Sequence, residues 1–197
     1  NQFNPHKKQA NPNIPPAIKN ITGYQKDSLA YDAALYFRKP VEKLGIAPLT
    51  SMYLFGENTK NRFDDYRPEV HDSDGLLMHN GAGEWLWRPL DNAKFLRVSS
   101  FEDNNPSGFG LMQRDRSLEH YLDFEANYHE RPSVWVEPAG DWGKGTVQLV
   151  EIPSQQEIHD NVVAYWIPAE KVETGREYRF KYRLHWTDDL DVEDVEA

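Results

Sequence analysis

Residues 67–90, RPEVHDSDGLLMHNGAGEWLWRPL, gather groups able to do chemistry: the carboxyls of Asp72 and Asp74, the imidazoles of His71 and His79, and the rings of Trp85 and Trp87. Acid clusters bind metals, move protons or cap turns. Tryptophans two apart on a strand share one face, where they fill a core or stack on a ligand. Asp72-Ser73-Asp74-Gly75 looks like part of a calcium loop. An EF-hand loop needs a third acidic or amide ligand before the glycine and a glutamate six residues after it, and Val70 and Gly81 stand at those places. A turn in which Asp72 and Asp74 cap backbone N–H groups is the plainer alternative. His71 and His79 with Asp72 between them fit no recognised zinc spacing. No metal and no cofactor are expected.

Other candidates fall away on their flanks. Gly108-Phe109-Gly110 has two glycines and runs on as strand, so it is no dinucleotide loop. Asp141-Trp142-Gly143-Lys144-Gly145 lacks the Ser/Thr and helix start of a phosphate loop and reads as a hairpin turn with an aromatic flank. There is no Gly-x-Ser-x-Gly elbow and no cysteine, which leaves covalent acyl chemistry unsupported. Carboxylates plus aromatics remain, the equipment of glycoside hydrolysis: one group protonates the leaving oxygen, another activates water, and rings hold the sugars.

Composition narrows the partners. A net charge of −10 argues against nucleic acid, whose phosphates need a basic face. No apolar run approaches the roughly 18 residues of a membrane span, so no membrane insertion is expected. With no cysteine, disulfides and thiolate metal sites are excluded. The aromatic share of 13%, with six Trp and ten Tyr, favours a β-rich chain.

The elements that must position these groups are mostly strands. Short strand signals recur at residues 35–38, 51–55, 76–79, 84–90, 95–101, 108–113, 133–137, 146–152 and 162–167, bounded by Gly, Pro, Asn or Asp. The clearest is EYRFKYRLHW. Phe180, Tyr182, Leu184 and Trp186 point one way, Arg179, Lys181, Arg183 and His185 the other, as in a strand with one dry and one wet face. Residues 117–127 follow helical spacing up to Pro132 and predict one short helix. The fold class is all-β, an antiparallel sandwich or curved sheets with one helix. Residues 1–34, rich in Asn and Pro, read as an extended or disordered arm. The last eleven residues hold six acids and read as an acidic tail from 188 to 197 or the start of a linker. The chain begins at Asn1 without a leader, consistent with a removed signal peptide or an internal fragment.

Seven stretches, in order, are more specific: YFRKPVEKLGIAPLTSMYLFGEN, DDYRPEVHDSDGL, GEWLWRPLDN, NPSGFGLMQRDR, HYLDFEANYHERPSVWVEP, DWGKGTVQLVEIPS and HDNVVAYWIP. Through them residues 35–187 resemble the osmoregulated periplasmic glucan biosynthesis proteins (the OpgG/OpgD, or MdoG, family). The resemblance implies a β-sandwich resembling galactose mutarotases, present here as its C-terminal part. It also implies a missing immunoglobulin-like domain beyond residue 188, a periplasmic location, and inverting hydrolysis of linear β-1,2-linked glucan. It carries over Asp72 and Asp160, 88 residues apart, as the catalytic pair, and Tyr128 beside them. Trp85 and Trp87 are core or cleft rings. Arg88 and Arg131, each followed by proline, are sugar-binding groups or partners of an acid. The alternatives are a non-catalytic glucan-binding module that assists a membrane glucan synthase, and an inert fragment. The resemblance leaves room for a homodimer.

Overall fold

The computed structural model describes residues 25–59 and 63–188. The arm up to residue 24 and the tail from residue 189 lie outside the described residues. Twelve strands follow one another: β1 Gln25–Tyr36, β2 Ile46–Ser51, β3 Tyr53–Phe55, β4 Val70–His71, β5 Gly75–His79, β6 Trp85–Pro89, β7 Arg97–Asn104, β8 Gly108–Met112, β9 Ser133–Ala139, β10 Lys144–Glu151, β11 Val162–Pro168 and β12 Glu177–Thr187. They form a six-stranded sheet in the order β1-β12-β9-β8-β5-β6, a four-stranded sheet in the order β2-β11-β10-β7, and the small pair β3-β4, all antiparallel.

The two larger sheets close on one core. Leu76, Met78, Phe109, Leu111, Val136 and Phe180 enter it from the six-stranded sheet, and Leu49, Val147, Leu149, Ala164 and Trp166 from the four-stranded one. Period two explains the partition: Leu76 and Met78 of β5 face inward, so Gly75, Leu77 and His79 face out. Each side chain buried in this way contributes on the order of 1.5–3 kcal/mol. The all-β sandwich expected from the sequence is what the chain forms.

Four local expectations change. Strand β1 begins at Gln25, inside the stretch read as an arm, and pairs with β12 along its whole length. The helix expected over 117–127 is one turn, α1 (Leu118–Tyr121). Leu122 adopts the left-handed conformation at φ 52° and ends it. The Asp123 carboxylate then takes the N–H groups of Glu125 and Ala126, competing with helical bonding. A turn of 3-10 helix follows at Tyr128–Glu130. Residues 141–145 are not a hairpin, because β9 and β10 lie in different sheets. Residues 140–143 carry the chain across, with Trp142 buried and Gly143 at φ 69°, and β10 starts at Lys144. The wet face of β12 closes at its far end, where His185 is fully buried and bonds Glu137 at 2.7 Å.

The outward face of the six-stranded sheet is paved with rings lying on glycine. A Cβ on Gly108 would stand 2.2 Å from Trp135 Cζ2, and one on Gly75 would stand 2.1 Å from Trp87. Gly108→Ala is therefore expected to force Trp135, which is buried, off its seat and to cost about 1–3 kcal/mol by overpacking. The denaturant midpoint of the variant, in a chain of the relatives' full length, checks this. An unchanged midpoint would mean that the indole swings away freely.

Candidate functional site

The site is assembled on one dipeptide. Strand β2 ends at Ser51 and β3 starts at Tyr53, leaving Met52 outside both ladders. The freed Met52 carbonyl accepts the Asp72 N–H at 2.8 Å. The polar groups of Tyr53 go to Asn161, whose Oδ1 accepts the Tyr53 N–H at 2.8 Å and whose Nδ2 donates to the Tyr53 carbonyl at 3.0 Å. Nδ2 also donates to Ile152 O at 2.9 Å. Asn161 is buried, and such a paired carboxamide mimics a strand neighbour where no strand runs. Asp72 and Asp160, the neighbour of Asn161, are thus held from two sides of residues 52–53.

Asp72 and Asp160 line one pocket of about 140 Å³ with Ser51, Ser73, Arg131, Pro132 and Val134. Ser51 Oγ donates to Ser73 Oγ at 2.8 Å across its wall. Arg131 Nε stands 3.2 Å from Asp72 Oδ1, an ion pair without hydrogen-bond alignment. Burial pushes the Asp72 carboxyl above the ordinary aspartate range. Arg131 pulls it down, the Asp160 charge pushes it up, and His71 pulls it down. A carboxyl with these opposed neighbours is suited to exchanging a proton.

Tyr128 sits beside this pocket. The Arg131 guanidinium lies 5.9 Å from its ring centroid. Its hydroxyl donates to Glu157 Oε2 at 3.1 Å, and burial followed by the Glu157 charge pushes the phenol upward. Glu157 is in turn gripped by Arg67 at 2.8 Å, which also holds Asp65 and Asp123 at 2.7 Å each. Glu157 was not singled out from the sequence, because a lone glutamate in a polar loop carries no local signal.

The other expected binding residues stand elsewhere. Trp85 and Trp87 lie on the outward face of the six-stranded sheet. Trp85 stacks on His79 at 4.2 Å and leans on Trp135 at 5.7 Å. Trp87 is held between Gly75 and the Arg114 guanidinium, 4.5 Å from its ring centroid. Arg88 takes the acid-pairing alternative: Nη2 donates to buried Glu151 at 3.0 Å, which also accepts the Asp91 N–H. None of the three lines the Asp72 pocket.

Behind Asp72 lies a buried polar chain. His71 Nδ1 meets Gln113 Oε1 at 2.9 Å and His71 Nε2 meets Glu69 Oε2 at 2.7 Å. Gln113 Nε2 donates to the carbonyls of His71 and Tyr128, both at 3.0 Å, which fixes its oxygen toward His71. His79 is on another strand and takes no part. Among the described residues, one group of three donors lies close enough to hold a metal ion: Glu69, Asp115 and His120, with atoms within 4.8 Å of one another. His71 already holds Glu69, and His120 holds Asp115 at 2.5 Å. Asp72 and Asp74 are not in that group.

Comparison with known proteins places the chain among close relatives. A family model described as periplasmic glucan biosynthesis protein, MdoG, matches residues 20–197. The chain is 56% identical over 155 residues to the probable glucans biosynthesis protein D of Shewanella oneidensis, covering 79% of this chain and 29% of that protein. It is 57% identical over 155 residues to the glucans biosynthesis protein G of Vibrio cholerae, covering 79% and 28%. The protein G of Pseudomonas aeruginosa is 57% identical over 159 residues, covering 81% and 30%. The chain therefore spans less than a third of the length of these relatives.

Asp74, beside the pocket, has a testable consequence of its own. Its Oδ2 accepts the Arg114 N–H at 3.3 Å, while its Oδ1 is buried without a partner. Burial pushes this carboxyl above the ordinary value of 3.8, the imidazole of His71 and the guanidinium of Arg114 opposing it. The folded form thus holds the proton more tightly than the unfolded one, so stability falls as pH rises from about 4 through the raised value. Asp74→Asn removes this loss. The variant is expected to be more stable than the parent at neutral pH, by about 1.4 kcal/mol for every factor of ten by which folding tightens the carboxyl's hold on its proton, and equal to it near pH 3. Melting both at a series of pH values checks the sign. A variant less stable at every pH would make the turn contact to Arg114 the dominant role.

Proposed function

The chain belongs to the periplasmic glucan biosynthesis protein family, MdoG, and on that premise we propose that its Asp72–Asp160 pocket hydrolyses linear β-1,2-glucan backbone with inversion, in the periplasm. The observation that carries this reading is the meeting of Asp72, Asp160 and Arg131 in one pocket, from positions 88 residues apart. One carboxyl gives its proton to the glycosidic oxygen as the bond to the anomeric carbon breaks. The other takes a proton from the water that attacks the opposite face of the same carbon. Inversion requires room for that water, with carboxyls about 6.5–9.5 Å apart, or somewhat more where a hydroxyl relays the proton. Arg131 supplies N–H donors for sugar hydroxyls, and the Tyr128 hydroxyl orients the substrate or relays the proton.

Asparagine keeps the shape of either aspartate but neither gives nor takes the proton. In a protein of the relatives' full length, Asp72→Asn and Asp160→Asn are each expected to lower release of reducing ends from linear β-1,2-glucan by roughly 10²–10⁴-fold, with glucan affinity little changed. Parent rates in both variants would take the two aspartates out of the chemistry, and a full-length parent that binds the glucan but releases no reducing ends would be a non-catalytic glucan-binding module that assists a membrane glucan synthase.

Arg131 assigns the roles. Removing its charge lets the Asp72 carboxyl rise further, because the guanidinium lowers it in the parent. In Arg131→Gln, the limb of the pH–kcat/KM profile that belongs to Asp72 moves to higher pH. Movement of the acidic limb makes Asp72 the base, and movement of the basic limb makes it the acid. A profile fixed on both limbs would separate Asp72 from the chemistry.

A further inference from the structure

Gln113 follows directly on β8, a strand whose five residues are all buried, and is itself only 1% exposed. A carboxamide is costly in such a place unless every donor and acceptor is used. Its Oε1 accepts from His71 Nδ1, and the two N–H groups of its Nε2 are shared among three acceptors, Tyr121 Oη at 2.9 Å and the carbonyls of His71 and Tyr128. The first carbonyl belongs to the peptide that ends in the Asp72 nitrogen, and the N–H of that peptide is pinned to Met52. The second belongs to the 3-10 turn and also accepts the Arg131 N–H at 3.1 Å. One side chain therefore grips the backbone of two loops, one carrying Asp72 and the other carrying Tyr128 and Arg131.

The grip is itself held from behind. His71 is 1% exposed, stacked on Tyr53 at 5.3 Å and met edge-on by Tyr121 at 5.2 Å. Its Nε2 is bonded to Glu69, also buried. The imidazole cannot turn without losing both hydrogen bonds, so Gln113 cannot flip without losing its bond to His71 and its donation to both carbonyls. None of the three residues Gln113, His71 and Glu69 lines the pocket itself. Their arrangement has the form of a support that sets the separation of groups in front of it.

We propose that Gln113 is the positioning residue of the Asp72 site: its carboxamide, oriented by the Glu69–His71 pair, sets the placement of Asp72 relative to Tyr128 and Arg131. The proposal rests on the hydrolytic reading of that pocket. A displacement of about 1 Å in a reacting group is enough to cost on the order of 10²-fold in rate. Gln113 then matters to turnover far more than to binding.

The test uses two variants of nearly unchanged volume, in a protein of the relatives' full length. Gln113→Met drops every hydrogen bond, while Gln113→Glu keeps an acceptor for His71 and, when ionised, cannot donate to the carbonyls. Asp72→Asn and Asp160→Asn are assayed beside them on linear β-1,2-glucan. The expected result is a fall in kcat of about 10²-fold in both Gln113 variants, with KM within about threefold of the parent. If the aspartate variants lose turnover and either folded Gln113 variant keeps the parent kcat, the positioning role is overturned while the hydrolytic reading stands. If the aspartate variants keep turnover, the hydrolytic reading fails. Crystal structures of the parent and of whichever Gln113 variant folds then decide the placement: an unchanged separation of Asp72, Tyr128 and Arg131 overturns it. If neither variant folds, Gln113 holds up the fold rather than the site and the positioning role is overturned.

Discussion

The peptide groups of Met52 and Tyr53 are the point on which the site depends. A buried N–H or carbonyl must find a partner, and the break between β2 and β3 leaves Met52 outside both strands and turns the Tyr53 N–H and carbonyl toward a side chain. One is satisfied by the backbone of Asp72, the others by the side chain of Asn161. The demand for pairing, repeated at a single break, draws together two segments that no local propensity could join. Close packing of the sandwich then holds that break in place, since Tyr53 itself belongs to the main core cluster.

The same demand runs deeper through Gln113, His71 and Glu69. Buried polar chains of this kind contribute little net stability, because each bond replaces one to water. Their effect is on uniqueness: a single arrangement satisfies every group, and alternatives leave one orphaned in a region of low dielectric. Around Asp72 the result is a rigid floor under a half-exposed carboxylate whose charge is balanced between burial, Arg131 and Asp160.

What could be read from the sequence followed from period and from motif. Alternation in EYRFKYRLHW located β12, and the turn residues bracketed most of the other strands. Asp72, Asp160 and Tyr128 came from motifs shared with the family and Arg131 from its place before a proline, and the fold brings them to one corner. The misses have physical causes. Helical spacing at 118–125 could not reveal that Asp123 would spend its carboxylate on the backbone and on Arg67. Whether Trp85 and Trp87 face core or cleft stayed open in the sequence, because it depends on which side the second sheet packs; they lie on the outward face. Gln113 and Asn161 did leave a trace, as lone carboxamides flanking the apolar strands GFGLM and VVAYWI, where an amide needs a reason.

The pairing of β1 with β12 shapes how such a chain becomes a structure. Gln25 meets Thr187 and Tyr36 meets Glu177, so these contacts join residues more than a hundred positions apart. Loop closure on that scale makes folding slow compared with chains rich in local contacts. During synthesis β1 emerges long before its partner exists and must wait as an unpaired strand with its hydrogen-bonding edge bare. A waiting edge invites the wrong neighbour. The order of the strands thus makes β12, which follows every other described strand, the one that closes the six-stranded sheet along β1, and places the hazard of misassembly in the interval before it arrives.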